Sequence, residues 1–313
     1  MRLQRLRTSQ AWREMLEETT LQVQDLIMPV FIHEGLQQPQ EISAMPGISQ
    51  QSFSSLLTEI ESIAATGIKA IILFGIPLKK DSHASEAFNP NGVVQRAIQE
   101  IKSIFPELII IADCCLCEYT DNGHCALSDP AKTLLTLQKI AVSYAHSGVD
   151  IIAPSGMLDG MVSAIRHGLD SEGFHRISIM SYAVKYASAF YGPFREAAGS
   201  LDTFKGNRKH HQMNPAQRRE ALREAELDCA EGADILMVKP ATLYLDIVRD
   251  LRNRFDHPLA VYHVSGEYAM LKAAAQRGWI DEMPAIQETL LSMKRAGAHM
   301  IITYFAKQIA PFL

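Results

Sequence analysis

Cysteine is scarce in this chain. Five of the 313 residues are cysteine, an odd number, and four of them crowd between Cys114 and Cys125. A disulfide framework spread over the fold is thereby excluded, and a reducing cytoplasm is the expected compartment. Long apolar runs are also missing: none reaches the roughly 18 residues a membrane span requires. The N-terminal stretch MRLQRLRTSQAWR is basic but has no apolar core, so it does not read as a secretory signal. Charge of one sign is not in excess. A formal net charge of −5 gives no general affinity for nucleic acid. No G-x-G-x-x-G follows the first strand-like run, which weighs against a doubly wound dinucleotide fold.

What the chain does have is repetition. Eight short apolar, β-rich runs recur: Leu26–Ile32, Lys69–Gly75, Leu108–Asp113, Val149–Pro154, Arg176–Ser181, Asp234–Lys239, Pro258–Val264 and His299–Tyr304. They are continuous rather than alternating, as strands buried on both faces of a parallel sheet are. Helix-like stretches lie between them. Ser52–Ala65 carries Phe53, Leu56, Leu57, Ile60 and Ile63 at helical spacing, and Pro215–Glu231 and Met283–Ala296 read the same way. Gly67, Gly148, Gly232 and Gly297 stand where helix C-caps are needed. Eight strand–helix units predict a (β/α)8 TIM barrel of the α/β class over residues 26–313. Residues 1–25 precede it, either as an arm that packs on another subunit or as a frayed terminus. Ala197–Asn214, with its KGNRKHHQ, is too long and polar for a simple βα connection and reads as a lid.

In such a barrel the C-terminal strand ends face the active site. The polar residues there are Asp113, Ser155, Lys239, Ser265 and Tyr304, with Lys185 expected a few residues beyond the fifth strand. Lys239 ends the apolar run ILMVK. Desolvation favours its neutral amine, the form that attacks a ketone or aldehyde to make a Schiff base. Lys185 is flanked by apolar and aromatic residues too, and repulsion between two close ammonium groups would favour the neutral form further. A lysine alone more often snorkels to the surface; a pair at strand ends reads as chemistry.

The thiols Cys115, Cys117 and Cys125 follow a C-x-C-x7-C spacing suited to zinc, and three ligands leave an open catalytic position. In an extended chain Cys115 and Cys117 share a side and Cys114 points away. His124 is either a fourth ligand or a hydrogen-bond partner. Cys229, in a helical stretch, reads as packing. Arg195 and Arg208 flank the lid and could clamp a carboxylate bidentately. Glu224, within RREALREAE, reads by itself as part of a solvated face.

Several strings together resemble the porphobilinogen synthase (5-aminolevulinate dehydratase) family: DCCLCEYTDNGHC, SYAVKYASAFYGPFREA, MVKPA, YHVSGEYAM and IITYFA, with MPG at Met45–Gly47 and SEAFNPNG at Ser85–Gly92. The resemblance runs essentially end to end. It implies a (β/α)8 barrel with an N-terminal arm, a homo-octamer, and condensation of two 5-aminolevulinate molecules into a pyrrole, a step of tetrapyrrole synthesis. It implies Schiff bases on Lys239 and Lys185, carboxylate binding by Ser265 and Tyr304 for one substrate and by Arg195 and Arg208 for the other, and proton transfer at Asp113. Cys115, Cys117 and Cys125 match catalytic zinc ligands, and Glu224 the position of an allosteric magnesium ligand. Gly156 and Met161 depart from the family, where an aspartate and an arginine are usual, and His211 replaces a common tyrosine; local repacking is expected. Two other readings stand beside this one: a class I aldolase-like Schiff-base lyase, which leaves the second lysine and the thiols unexplained, and a non-catalytic zinc-binding relative, which leaves the lysine pair unexplained.

Overall fold

The computed structural model describes residues 2–199 and 209–313. Eight parallel strands form its centre: β1 (Leu26–His33), β2 (Ala70–Ile76), β3 (Ile109–Cys114), β4 (Ile151–Pro154), β5 (Ser178–Lys185), β6 (Ile235–Lys239), β7 (Leu259–His263) and β8 (Met300–Thr303). Each pairs in parallel with the next, and β1 closes on β8 with Leu26 opposite Ile301. The result is the (β/α)8 barrel that the apolar runs predict. Both faces of the strands are covered, one by the barrel interior and one by helices, so Ile71, Ile72, Ile110, Ile111, Val261 and Ile302 are all fully buried. Each such side chain contributes about 2 kcal/mol of burial free energy.

The helices follow their apolar spacing. Phe53–Ala64 buries Leu56, Ile60 and Ile63, the residues that line one side of a 3.6-residue turn. Arg219–Glu231 ends at Gly232, whose φ of 102° closes the helix and is strained for any residue with a Cβ. Two short strands, Gln40–Glu41 and Ser49–Gln51, are antiparallel to each other, and the second lies alongside β1 near the mouth. The N-terminal segment makes a turn of 3-10 helix, Leu3–Arg7, and a short helix, Gln10–Met15, neither with a buried residue.

The fifth strand differs from expectation. It runs four residues past Ser181, so Lys185 is its last residue rather than a residue beyond it. The cause is a bulge. Met180 and Ser181 pair with Ile235 and Leu236, but Val184 and Lys185 pair with Val238 and Lys239. Three steps along β5 thus match two along β6. A bulge needs no glycine or proline to mark it, and the interrupted alternation reads in sequence as the end of a strand.

Candidate active site

The mouth of the barrel opens into a cavity of about 550 Å³, within the range of small-molecule sites. Lys185 and Lys239 both line it, side by side in the β5–β6 register. Both side chains are about 6% exposed. Lys239 is enclosed by aromatic rings: its Nζ lies 4.1 Å from the ring centre of Tyr262, 5.0 Å from Tyr182 and 5.2 Å from Phe194. Burial first, and the neighbouring Lys185 charge second, bring its pKa down to about 7. A substantial share of Lys239 is then neutral near pH 7. Lys185 instead donates from Nζ to the carbonyl oxygen of Ser155 at 2.6 Å, and the ring centre of Tyr182 lies 5.5 Å from its amine and 5.0 Å from that of Lys239.

Asp113, the penultimate residue of β3, accepts a hydrogen bond from Ser155 Oγ at 3.1 Å. Burial, then the carboxylate of Glu118 and the sulfur of Cys115, push its pKa well above the usual carboxylate range. The charges of Lys185 and Lys239 act on it in the opposite direction.

The cysteine loop follows β3. Cys115 and Cys117 do not sit on an extended chain, as alternate spacing suggested. The chain turns here, with Tyr119 and Thr120 both donating to Leu116 O at 2.9 Å. Gly123, at φ 69°, then lets the loop reverse, and Thr120 Oγ1 donates to His124 O at 3.0 Å. Cys125 returns to the other two by this route. Cys114 points away, as expected, with its sulfur 3.8 Å from Leu137 O in the helix layer.

The sulfurs of Cys115, Cys117 and Cys125 all lie within 4.8 Å of one another, and those of Cys115 and Cys117 are 3.2 Å apart. Three thiolates around tetrahedral zinc at about 2.3 Å would be separated by about 3.8 Å, so small shifts of the side chains suffice. All five cysteines of the chain are free thiols. The contacts with Cys117 and Cys125 hold Cys115 well below the usual thiol range, and the same Cys115–Cys117 contact pushes Cys117 up. Three buried sulfurs cannot all carry negative charge without a cation among them. The donor set therefore fits a thiophilic metal ion. Among the described residues no histidine joins this group, which leaves His124 outside it.

The other expected residues divide. Arg195, on the short helix Gly192–Ala197, lines the cavity. Arg208 lies outside the described residues. Ser265 opens the helix Ser265–Gln276 after β7, and its hydroxyl accepts from the N–H of Phe194 at 3.0 Å. Tyr304 follows β8, with its hydroxyl 3.1 Å from that of Tyr262. Both are buried beside the cavity wall rather than open to it. Glu224 is on the outer helix Arg219–Glu231, away from the mouth. It is half-buried rather than solvated, and burial followed by the charges of Asp159 and Glu220 raises its pKa.

Sequence reasoning missed Phe194 and Glu118. Phe194 bridges the lid-side helix and the barrel: its ring lies 5.8 Å from Phe31 and 5.2 Å from Phe74, while its N–H reaches Ser265. Glu118 lines the cavity and accepts from Cys117 Sγ at 3.1 Å. Its place between a thiol and an aromatic residue in CLCEY was the available signal. At the departures, Met161 is buried and its sulfur lies 3.5 Å from where a Cβ on Gly156 would stand. The two departures thus lie against each other.

A family model for delta-aminolevulinic acid dehydratase matches residues 1–312. The chain is 53% identical over its whole length to the delta-aminolevulinic acid dehydratase of Halalkalibacterium halodurans, of which it covers 96%. It is 53% identical to that of Bacillus subtilis, again over its whole length, and covers 98% of that protein. A solved structure of delta-aminolevulinic acid dehydratase (porphobilinogen synthase) from Toxoplasma gondii, in complex with the product porphobilinogen, matches with a TM-score of 0.96 at 42% identity, covering 100% of this chain and 91% of that one. The similarity takes in the barrel, the cysteine loop and the N-terminal segment alike, and the chain belongs to the delta-aminolevulinic acid dehydratase family.

Proposed function

We propose that this chain is a lyase that condenses two molecules of 5-aminolevulinate into porphobilinogen and two of water, with Lys239 and Lys185 as the amines that form Schiff bases. The observation that carries this reading is the pair itself: two buried lysines side by side in one cavity, one with its pKa brought down to about 7. Neutral Lys239 attacks the ketone carbon of one substrate. A carbon–nitrogen bond forms and the carbonyl oxygen leaves as water; the lysine is expelled when the amine of the other substrate molecule bonds to that carbon and closes the ring. Lys185 forms its Schiff base with the second ketone, releasing the second water, and leaves that carbon by elimination once the carbon–carbon bond has formed. Asp113, whose pKa is raised by burial first, supplies and recovers a proton at the departing oxygen.

The substrate tails carry carboxylates. Arg195 and Arg208 take one, and the hydroxyls of Ser265 and Tyr304 take the other. Ser265 and Tyr304 turn their hydroxyl protons to it in place of the Phe190 carbonyl oxygen and the Tyr262 hydroxyl that they now meet. Lys209, Gln212 and Asn214 line the cavity at the end of the expected lid, whose residues 200–208 lie outside the described residues, and excluding water there protects the imines from hydrolysis. Cys115, Cys117 and Cys125 hold zinc, which when bound supplies a Lewis acid for the condensation. Glu224 binds an allosteric magnesium ion on the outer face. The chain works as a cytoplasmic homo-octamer, with residues 1–25 as an arm on a neighbouring subunit. Leu3, Trp12 and Met15 leave that segment with apolar surface for such a contact.

The test supplies 5-aminolevulinate with zinc and a thiol reductant and follows pyrrole formation colorimetrically. Product is expected. None under these conditions would remove the proposal. Chelation is expected to abolish the activity and zinc to restore it.

A further inference from the structure

The two lysines reach the cavity by different means, and one of them should not reach it at all in a regular strand. Successive side chains alternate between the two faces, so residues four apart share a face. Ser181 and Lys185 are four apart on β5. Ser181 faces outward, because its hydroxyl donates to Asp228 Oδ2 on the outer helix Arg219–Glu231. Lys185 faces inward, lining the cavity and bonding to Ser155 O. Tyr182 and Lys185 are three apart and should oppose each other, yet Lys185 Nζ lies 5.5 Å from the centre of the Tyr182 ring.

The extra residue between Ser181 and Val184 removes the contradiction. It shifts the alternation by one, so Lys185 turns into the mouth beside Lys239. Without it, Lys185 would point into the helix layer. A bulge breaks the ladder locally and leaves a residue unpaired, so contacts on either side of it hold its position. Behind the bulge is a small cavity of about 180 Å³ lined by Met157, Tyr182, Ala183 and Asp228. Tyr182, Ala183 and Val184 are themselves buried, so packing helps to hold the register, and Tyr186 N–H donates to Lys239 O at 2.9 Å beyond it. Two side-chain contacts flank the extra residue. The buried Ser181 hydroxyl is tied to Asp228 before the extra residue, and the N–H of Lys185 donates to Met157 Sδ at 3.0 Å after it.

We propose that Asp228, acting through Ser181, is a positioning residue that pins the β5 bulge and thereby aims Lys185 into the active site. Asp228 touches no reacting atom. Its part is to fix which side of β5 carries the second amine. The inference rests on the assignment of Lys185 and Lys239 as the Schiff-base amines, and the experiment separates the two.

The full chain, loaded with zinc, is compared as Asp228→Ala, Ser181→Ala and Asp228→Asn. Asparagine keeps an acceptor for the Ser181 hydroxyl; the two alanine variants do not. Each is assayed for pyrrole formation and, separately, for the Lys239 imine trapped by borohydride with 5-aminolevulinate and located by peptide mass spectrometry. A misplaced reacting group costs roughly a hundredfold in rate. Both alanine variants are therefore expected to lose turnover on that scale while trapping at Lys239 keeps its unaltered yield, and Asp228→Asn to recover most of the turnover. Unchanged turnover in the alanine variants overturns the inference. So does a parallel loss of turnover and Lys239 trapping, which marks general damage, and so does failure of Asp228→Asn to recover. If the unaltered chain forms pyrrole but traps no imine at Lys239 or Lys185, the Schiff-base assignment falls and the inference falls with it.

Discussion

The ends of β5 and β6 carry the same side chain to the same cavity in opposite ways. Lys239 closes a regular five-residue strand and stands among aromatic rings, which withdraw water from its amine and lower its pKa to about 7. Lys185 closes an eight-residue strand interrupted by a bulge, and it is held by a carbonyl oxygen. One lysine is prepared by desolvation and the other by aim. The difference teaches that a paired site need not be built twice from the same plan. It also assigns the two amines different vulnerabilities: Lys239 to changes in its aromatic cage, Lys185 to changes in strand register.

The largest expected effect comes from Lys239→Met, which removes the desolvated amine and leaves the cage intact. Loss of a nucleophile costs on the order of 10⁴ in kcat or more, and a steady-state pyrrole assay measures it. A loss of less than tenfold would mean that the lowered pKa of Lys239 serves no chemistry and would dissolve the contrast between the two strands.

The thiol cluster sharpens the same comparison, because it follows β3 and Cys117 lines the same cavity, with an influence on Lys239 that ranks below burial, Lys185 and Asp113. Cys125→Ala removes one of three sulfurs. Bound zinc, measured by metal analysis after dialysis, is expected to fall from near one equivalent per chain to near none. Turnover falls by about a hundredfold or more, since Lewis-acid assistance is worth several kcal/mol, while borohydride trapping at Lys239 persists. Loss of trapping together with the metal would show that the cysteine loop and the lysine pair are one unit rather than two.

The barrel was legible because parallel strands are buried on both faces and so read as unbroken apolar runs; seven of the eight keep to the predicted positions within a residue or two. The end of β5 was not legible, because a bulge has no residue signature and Tyr182, Ala183 and Val184 read as well in a loop. Lys239 could be read from its apolar neighbours alone. That Cys115, Cys117 and Cys125 converge could be read from their density, but the route could not: the chain turns at Leu116 and reverses at Gly123 instead of running extended. Phe194 was invisible because its place depends on three separate strands and the helix after β7. Arg208 lies outside the described residues, so its expected part stays with the proposal.

The smallest expected effect is at Gly156. A Cβ there meets Leu158 at 3.4 Å and the Met161 sulfur at 3.5 Å, so Gly156→Asp places a carboxylate against apolar atoms without a countercharge. About 1–3 kcal/mol of stability should be lost, read by chemical denaturation. Adding Met161→Arg should recover most of it, as coupled neighbours do. Full stability in the single variant would mean that the loop after β4, which supplies the Ser155 carbonyl to Lys185, is looser than its contacts indicate.

The central claim is that Lys239 is the desolvated amine that attacks a ketone substrate. The most direct measurement is the rate of imine formation on the intact chain with 5-aminolevulinate, trapped by reduction, located by peptide mass spectrometry and repeated across pH. A lysine with a lowered pKa is protonated and inert below that value and neutral above it. Label is therefore expected on Lys239, with a rate that rises as pH increases through about 7 and levels off above it. Label on a surface lysine, or a Lys239 rate that keeps rising toward pH 10 as an ordinary lysine's would, would contradict the account.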